Sequence, residues 1–318
     1  MKKLLLSLGL IALAAPAQAE VFPDKALELV VPFAPGGGSD VSARIFSSCL
    51  EKQLPVKVLI KNITGARGKI GEVEVRDARP DGYKLLWSHQ GMDMGLATKR
   101  SDYNYEAFAA VASSVAMNYG IFAGKATGVT DLESLKAAVK ANPGQNTIGV
   151  ALNGFSHFAA LDFLEAAGID ATQLKSIPMS GDKPRIVASI QGVLTLVPTA
   201  VGAAAPYVDS GDMSTIAIMT DRPDTRLSNA PTSATLGIDS KFAMYFTTFA
   251  PKGTPQDRVD VLADAWLNAA ADPDCQAKLA EQSMTVDAEK GAELQKTLDA
   301  RYARILALTE KFGLIDKE

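Results

Sequence analysis

The chain has 318 residues, 47% of them hydrophobic and 21% charged, with a formal net charge of −4. That hydrophobic share excludes a disordered chain, and a mildly acidic chain with no basic run is a poor nucleic-acid binder. Only two histidines and two cysteines are present, which leaves few arrangements for histidine or metal chemistry.

The first residues read as an address. Met1-Lys2-Lys3 is a charged start, Leu4 to Ala15 is an apolar run, and Ala17-Gln18-Ala19 is an A-x-A cleavage pattern. Residues 1–19 are predicted to be a secretory signal peptide, since the apolar run is too short to span a bilayer. Without Lys2 and Lys3 the chain carries 30 basic and 36 acidic residues. A bacterial periplasm is the expected compartment.

Leu27 to Val31 reads as a short apolar strand, stopped by Pro32 and Pro35. Gly36, Gly37 and Gly38 then allow a bare turn. Ser39 and Asp40 look like an N-cap pair for the helix that follows. A strand, a glycine turn and a helix start gather unpaired N–H groups and the positive helix end at one point, which suits a carboxylate or phosphate. The spacing is not that of a dinucleotide fingerprint, and no lysine follows the glycines as in a P-loop. Cys49 shares a helix face with Val41 and Ile45, so it reads first as a buried apolar thiol. A disulfide to Cys275 is the alternative that an oxidising compartment permits.

Val56 to Ile60 is predicted as a second strand, ending in a glycine-rich turn with Gly65, Arg67, Gly68 and Gly71 before a helix over about 70–78. Arg67 is either a solvated loop residue or a charge-assisted partner for a second carboxylate. Tyr83 to Ser88 is a third strand, with Ser88 and His89 at its carboxyl end. Residues 111–123 are mostly apolar and fit two short strands or a crossover. A capped helix over 132–140 and a strand over 147–152 follow. Asn153-Gly154-Phe155-Ser156-His157 turns into a helix through Ala167, closed by Gly168. A strand over 174–179 ends at Ser180-Gly181-Asp182, and a helix over 184–191 follows. Residues 192–197 form a strand stopped by Pro198, and 215–220 form another. The last third reads as helical: 257–271, then Asp272-Pro273 opening the helix of Cys275, then a long C-terminal helix marked by Leu294, Leu298, Ile305 and Leu308.

Strands alternating with helices argue for parallel α/β sheets, here in two blocks. Ligands of such sheets bind beyond the carboxyl ends of the strands. The turns at residues 36–40, 65–71, 153–157 and 180–182 lie at such ends, two in each block, so a cleft between two lobes is the natural geometry.

Enzyme readings are weaker. Gly154 to Phe158 falls one residue short of a nucleophile elbow, and no histidine follows His157 as that elbow requires. A secreted serine hydrolase using His89 and Ser156 remains the distant alternative. The two histidines and two cysteines lie far apart without ligand spacing. No metal, no cofactor and no catalytic residue is expected. Asp40 is expected to fix its own loop rather than touch an anion.

Taken as an ordered set, V-V-P-F-A-P-G-G-G-S-D with Arg44, K-N-I-T-G-A-R-G-K-I-G, R-P-D-G-Y-K-L-L, G-F-S-H, I-P-M-S-G, Gln191-Gly192 and A-P-T-S-A-T-L-G are similar to the periplasmic solute-binding proteins of tripartite tricarboxylate transporters, the Bug family. The resemblance runs from about Phe22 to Gly313. It implies a two-lobed α/β periplasmic binding protein, a Venus flytrap, with residues 20–123 and 230–318 as the first lobe and 124–229 as the second. It implies a di- or tricarboxylate, aromatic acid or related small organic acid as ligand, delivery to two membrane permease subunits, and a monomer. A sensor feeding a signalling partner is the close alternative.

By position, the resemblance puts the first binding loop at Pro35, Gly36, Gly37, Gly38, Ser39 and Asp40. The second falls at Asn153, Phe155, Ser156 and His157, and the third at Ser180 and Gly181. Arg67, Ser88, His89 and Pro198 complete the candidate set. The family usually has a small hydroxyl residue at Phe155, Tyr at Met179, Gly at Arg67 and Asp near Thr195. Replacement of two polar groups by Phe155 and Met179 points to an acid with an apolar or aromatic body.

Overall fold

The computed structural model describes residues 22–315, so the predicted signal peptide lies outside the described residues. In chain order the main elements are β1 (Leu27–Val31), α1 (Gly38–Leu50), β2 (Val58–Asn62), α2 (Lys69–Arg76), β3 (Lys84–Ser88), α3 (Gly91–Ala97), β4 (Phe108–Met117) and β5 (Tyr119–Gly124). They continue with α4 (Leu132–Ala141), β6 (Asn146–Val150), α5 (Phe155–Ala166), β7 (Leu174–Pro178), α6 (Asp182–Ile190), β8 (Val197–Ala200), α7 (Val201–Asp209) and β9 (Met213–Ile218). The chain ends with β10 (Met244–Pro251), α8 (Gln256–Ala271), α9 (Pro273–Ala280), β11 (Met284–Val286) and α10 (Gly291–Phe312).

Two sheets follow one plan. The first has the order β11-β4-β10-β3-β1-β2. In the second, β7 pairs in parallel with β6, a bridge from Ile148 to Leu196 joins β6 to the segment leading into β8, and β8-β5-β9 continue. Each sheet therefore places its second, first and third strands in that order. Next comes a strand arriving from the other lobe, then a fourth strand. The arriving strands, β10 and β5, run antiparallel to both neighbours. The sheets are mixed, and the expected two-lobed α/β architecture is the one that forms.

Burial explains the composition of these strands. Leu27, Leu29, Val30 and Val31 are all fully buried because helices cover both faces of the first sheet. One face packs Phe46, Trp87, Phe246 and Trp266 beneath α1 and α8. The other packs Val30, Leu86, Met92, Phe249, Leu294 and Leu298 beneath α3 and α10. Gly71 lies where α2 meets the chain leaving β1. A Cβ there would stand 2.6 Å from the Ile63 carbonyl oxygen, so only glycine fits.

Several expectations are corrected. The stretch from Met244 to Pro251, read within a helical last third, is instead β10, a central strand of the first sheet; its run of Tyr, Phe and Thr suits a pleated, buried strand. β8 begins five residues after Gly192 and contains Pro198, which pairs with Ile121 of β5. Pro198 has no N–H to give, and the bridge to β6 stops at Leu196. β2 begins at Val58 rather than Val56.

Strand pairing also locates the crossings. β5 bonds to β8 and β9, so the chain leaves the first sheet at Asn118, ahead of the expected boundary at 123/124. Thr232 still bridges Ile218 of the second sheet, and the first sheet resumes only at Met244.

Cys49 and Cys275 are joined in a disulfide that ties α1 to α9, with Cα atoms 5.9 Å apart. The buried-thiol reading of Cys49 thus gives way to its alternative: both residues are buried, but against each other. A second tie joins the lobes. Arg304 of α10 reaches Asp162 (Nε to Oδ1, 2.7 Å) and Glu165 (Nη2 to Oε2, 3.0 Å) of α5.

Candidate functional site

The glycine turn after β1 lies exposed at the carboxyl end of its strand, with Pro35, Gly36, Gly37 and Gly38 open to solvent. Gly37, not the Ser39-Asp40 pair, is the N-cap of α1, and it makes no side-chain cap. Asp40 is buried in the first helical turn and fixes the loop from within. Its Oδ2 accepts from the Gly36 N–H and from Arg44 Nε, both at 2.9 Å, and its Oδ1 accepts from Asn62 Nδ2 at 3.0 Å. Burial pushes this carboxyl up, but the Arg44, Gly36 and Asn62 hydrogen bonds outweigh it and hold it below the usual range. Asp40 stays ionised and fully engaged. Gly38, Ser39 and Asp40 form the opening turn of α1, where helical N–H groups have no intrahelical partners.

The second turn holds four successive residues in the left-handed half of φ space, a run not repeated among the described residues. Gly65, Ala66, Arg67 and Gly68 all have positive φ, at 127°, 46°, 58° and 104°. Two of the four are not glycine, a backbone cost concentrated at one point. The turn aims the exposed Arg67 across the cleft, where Nη1 donates to the Leu152 carbonyl at 3.4 Å. Arg100 lies beside it in the first lobe and donates from Nη2 to the Asn153 carbonyl at 2.8 Å.

The turn opposite is held by Ser156, the nucleophile of the distant hydrolase alternative, and by its neighbour His157. The Ser156 hydroxyl accepts the Ala151 N–H at 2.9 Å. His157 Nδ1 accepts the Asn153 N–H at 3.2 Å, and its Nε2 lies 3.4 Å from the Ser176 hydroxyl. Both ring nitrogens of His157 are thus occupied away from Ser156, and burial lowers its pKa to about 4. These contacts keep Asn153 at φ 54°. Ser156 and His157 are scaffolding for the turn.

Phe155, the first residue of α5, is the side chain that enters the cleft. Its ring lies edge-on to Tyr119 (centroids 4.7 Å apart) and against Phe242 (5.3 Å). Across the cleft it meets His89 at 6.1 Å. His89 stacks on Phe33 at 4.8 Å and 10°. His89 Nδ1 accepts the Gly91 N–H at 3.0 Å, so the neutral ring carries its hydrogen on Nε2. Burial lowers the His89 pKa to about 4, which keeps that ring neutral. The centre of the cleft is therefore aromatic and uncharged.

Ser88 is not on this surface. It is fully buried and donates to Glu72 (3.5 Å), which also accepts from Tyr103 (2.9 Å). Pro198 is buried inside β8. Ser180 and Gly181 are exposed at the start of α6, where Gly181 takes φ 85° as N-cap. Position placed Asp182 in a strand-end turn but not among the binding residues, and it did not pick out Tyr119, Arg100 or Arg185. Tyr119 reaches the cleft only because β5 pairs into the second sheet. Among the described residues, no group of three or more His, Cys, Asp or Glu side chains is placed to hold a metal ion. None of their helices is long and apolar enough to cross a membrane.

Comparisons with known proteins identify the family and the fold. A family model described as "Tripartite tricarboxylate transporter family receptor" matches residues 42–314. Protein BugT of Bordetella pertussis is 29% identical over 264 residues, covering 81% of this chain and 80% of that protein. The periplasmic binding protein BugD superposes with a TM-score of 0.76 at 25% identity, covering 93% of this chain and all of that one. A Rhodopseudomonas palustris protein solved with adipate superposes with a TM-score of 0.76 at 24% identity, covering 92% and 98% of the two chains.

Proposed function

The chain belongs to the tripartite tricarboxylate transporter receptor family, and from that premise we propose that it captures a small organic carboxylate in the periplasm and delivers it to two membrane permease subunits. It does so as a binding protein without chemistry of its own. The observation that carries the reading is the pairing of an amide-rich turn, emptied of competing charge by Asp40's own bonds, with an aromatic cleft wall that holds no net charge. The turn supplies N–H donors and a positive helix end for one carboxylate. Phe155, His89 and Tyr119 supply an apolar surface for the body of the acid. Adipate, the ligand solved with the R. palustris relative, has such a body between its acid groups.

Capture follows from closure. Arg67 and Arg100 already reach the second lobe's turn, so the ligand adds its contacts to a closed state that has some of its own. A guest that touches both lobes favours closure by its differential affinity for that state. Excluding water then strengthens its hydrogen bonds.

The test is a thermal-shift and calorimetric screen of aliphatic and aromatic acids. A true ligand at a hundredfold excess over Kd adds about 2.7 kcal/mol of stability. Tight citrate binding with no response to acids bearing an apolar body would overturn the ligand class proposed. Ester turnover by the purified protein would overturn the non-enzymatic reading.

A further inference from the structure

Arg185 is a charged side chain sunk among the strand ends of the second lobe. It is 3% exposed and lies over Gly149, where a Cβ would stand 3.5 Å from its Cδ. Its Nη1 donates to the Met179 carbonyl at 3.2 Å, and its Nη2 donates to Asp182 Oδ1. Its Nε is buried with no partner. Asp182 is the first residue of α6, three positions earlier, and its side chain is 31% exposed. The Tyr119 hydroxyl lies 3.5 Å from the same Asp182 oxygen, and the Tyr119 ring packs on Phe155.

A guanidinium fork, a helix beginning and a tyrosine hydroxyl at the cleft end of a sheet are the groups that receive a carboxylate. Here a carboxylate is already present, supplied in cis by Asp182. We propose that Asp182 occupies the anion position of the second lobe, so that the protein selects acids with one carboxylate and an uncharged far end. This inference rests on the carboxylate-binding reading above and narrows it. A second ligand carboxylate on the Phe155 side would meet the Asp182 charge in a cleft with little water, where like charges repel strongly. An alkyl or aryl end would meet Phe155 and Tyr119 instead. The pair also explains why a buried arginine is tolerated: its charge is neutralised by a residue of its own helix.

The experiment compares hexanoate with adipate, which share chain length and differ in the second carboxylate, by calorimetry at pH 7.4. Wild-type protein is expected to bind hexanoate at least about tenfold more tightly, equivalent to about 1.4 kcal/mol. In Asp182→Asn, adipate should gain about tenfold while hexanoate changes by less than about threefold, because Arg185 is released to a ligand carboxylate. In the double variant Asp182→Asn/Arg185→Met that gain should vanish. The proposal is overturned if wild type prefers adipate or treats the two alike. It is also overturned if folded Asp182→Asn leaves the ratio unchanged, or if the gain persists without Arg185. Should Asp182→Asn fail to fold, the wild-type ratio decides. Adipate binding alone, or no response to either acid, would leave carboxylate capture standing and remove only this inference, whereas silence across the wider acid screen would remove both.

Discussion

Arg100 in the first lobe donates a 2.8 Å hydrogen bond to the backbone carbonyl of Asn153 in the second. The two residues are 53 positions apart, so the bond ties the first lobe to the turn of the second. Arg100 is itself steadied by Thr98, whose hydroxyl accepts from its Nε at 2.9 Å. Because the acceptor is a main-chain oxygen, the contact is indifferent to the side chain at 153. Closure therefore has a component that owes nothing to the ligand.

Replacing Arg100 with Met should weaken ligand binding without unfolding the protein. A partly exposed, charge-assisted bond of this kind contributes about 1 kcal/mol, or roughly a fivefold rise in Kd. Calorimetry reads the affinity, and small-angle scattering should show a more open average shape in the absence of ligand. Unchanged affinity would mean that the bond forms no part of closure.

Phe155 couples the cleft to the packing of the second lobe. Phe155→Ala removes its contacts with Tyr119, Phe242 and His89 together. The expected loss is about 3 kcal/mol of stability, at the low end for a buried aromatic because the cleft can hydrate. Denaturant unfolding measures this. Affinity for acids with an apolar body should fall, and Phe155→Leu should restore part of both losses.

The disulfide should matter for stability and not for binding. It joins α1 to α9 across 226 residues of chain, near the end of α1 away from the glycine turn. Replacing Cys49 and Cys275 with Ser should cost about 2–5 kcal/mol. Ligand affinity, measured well below the melting temperature, should stay within about twofold of wild type.

Stability should fall as pH rises through 7 to 8. Burial raises Glu72 to about 7, against the donors Tyr103 and Ser88, and raises Asp93 to about 8. A carboxyl with a raised folded pKa binds its proton more tightly in the native state. Its contribution is fully present below the unfolded value near 4 and is lost as pH climbs through the folded value. His89 and His157, lowered to about 4 by burial, act oppositely, but that effect fades once pH passes the ordinary histidine value near 6.5. The acids therefore dominate the window from pH 6.5 to 9. Glu72→Gln should flatten the decline in that window in chemical denaturation; an equally steep decline would remove Glu72 from the account.

Local rules made much of the molecule legible. Apolar runs between prolines and glycines mark β1, β3 and β6, and the Asp272-Pro273 pair opens α9 with its side-chain cap in place. The glycine turns stand at strand ends because a chain reversing there needs positive φ or close approach, as at Gly71 and Gly181. β10 was missed because Tyr, Phe and Thr in its sequence sit between two irregular stretches, and only pairing with β3 and β4 identifies it as central. The first-turn role of Asp40 was foreseen in kind, since an acid early in a helix satisfies nearby N–H groups.

The order of residues alone thus determined the alternation of strands and helices, the positions of the bare turns and the family resemblance, because each depends on neighbours a few residues apart. Only the tertiary structure decided that Cys49 meets Cys275, that Ser156 and His157 brace a turn, and that Phe155 faces His89. It likewise decided that Tyr119 joins Asp182 and Arg185. These pairings depend on which strand crosses between the sheets and on how the lobes close, and neither is fixed by any local preference of the chain.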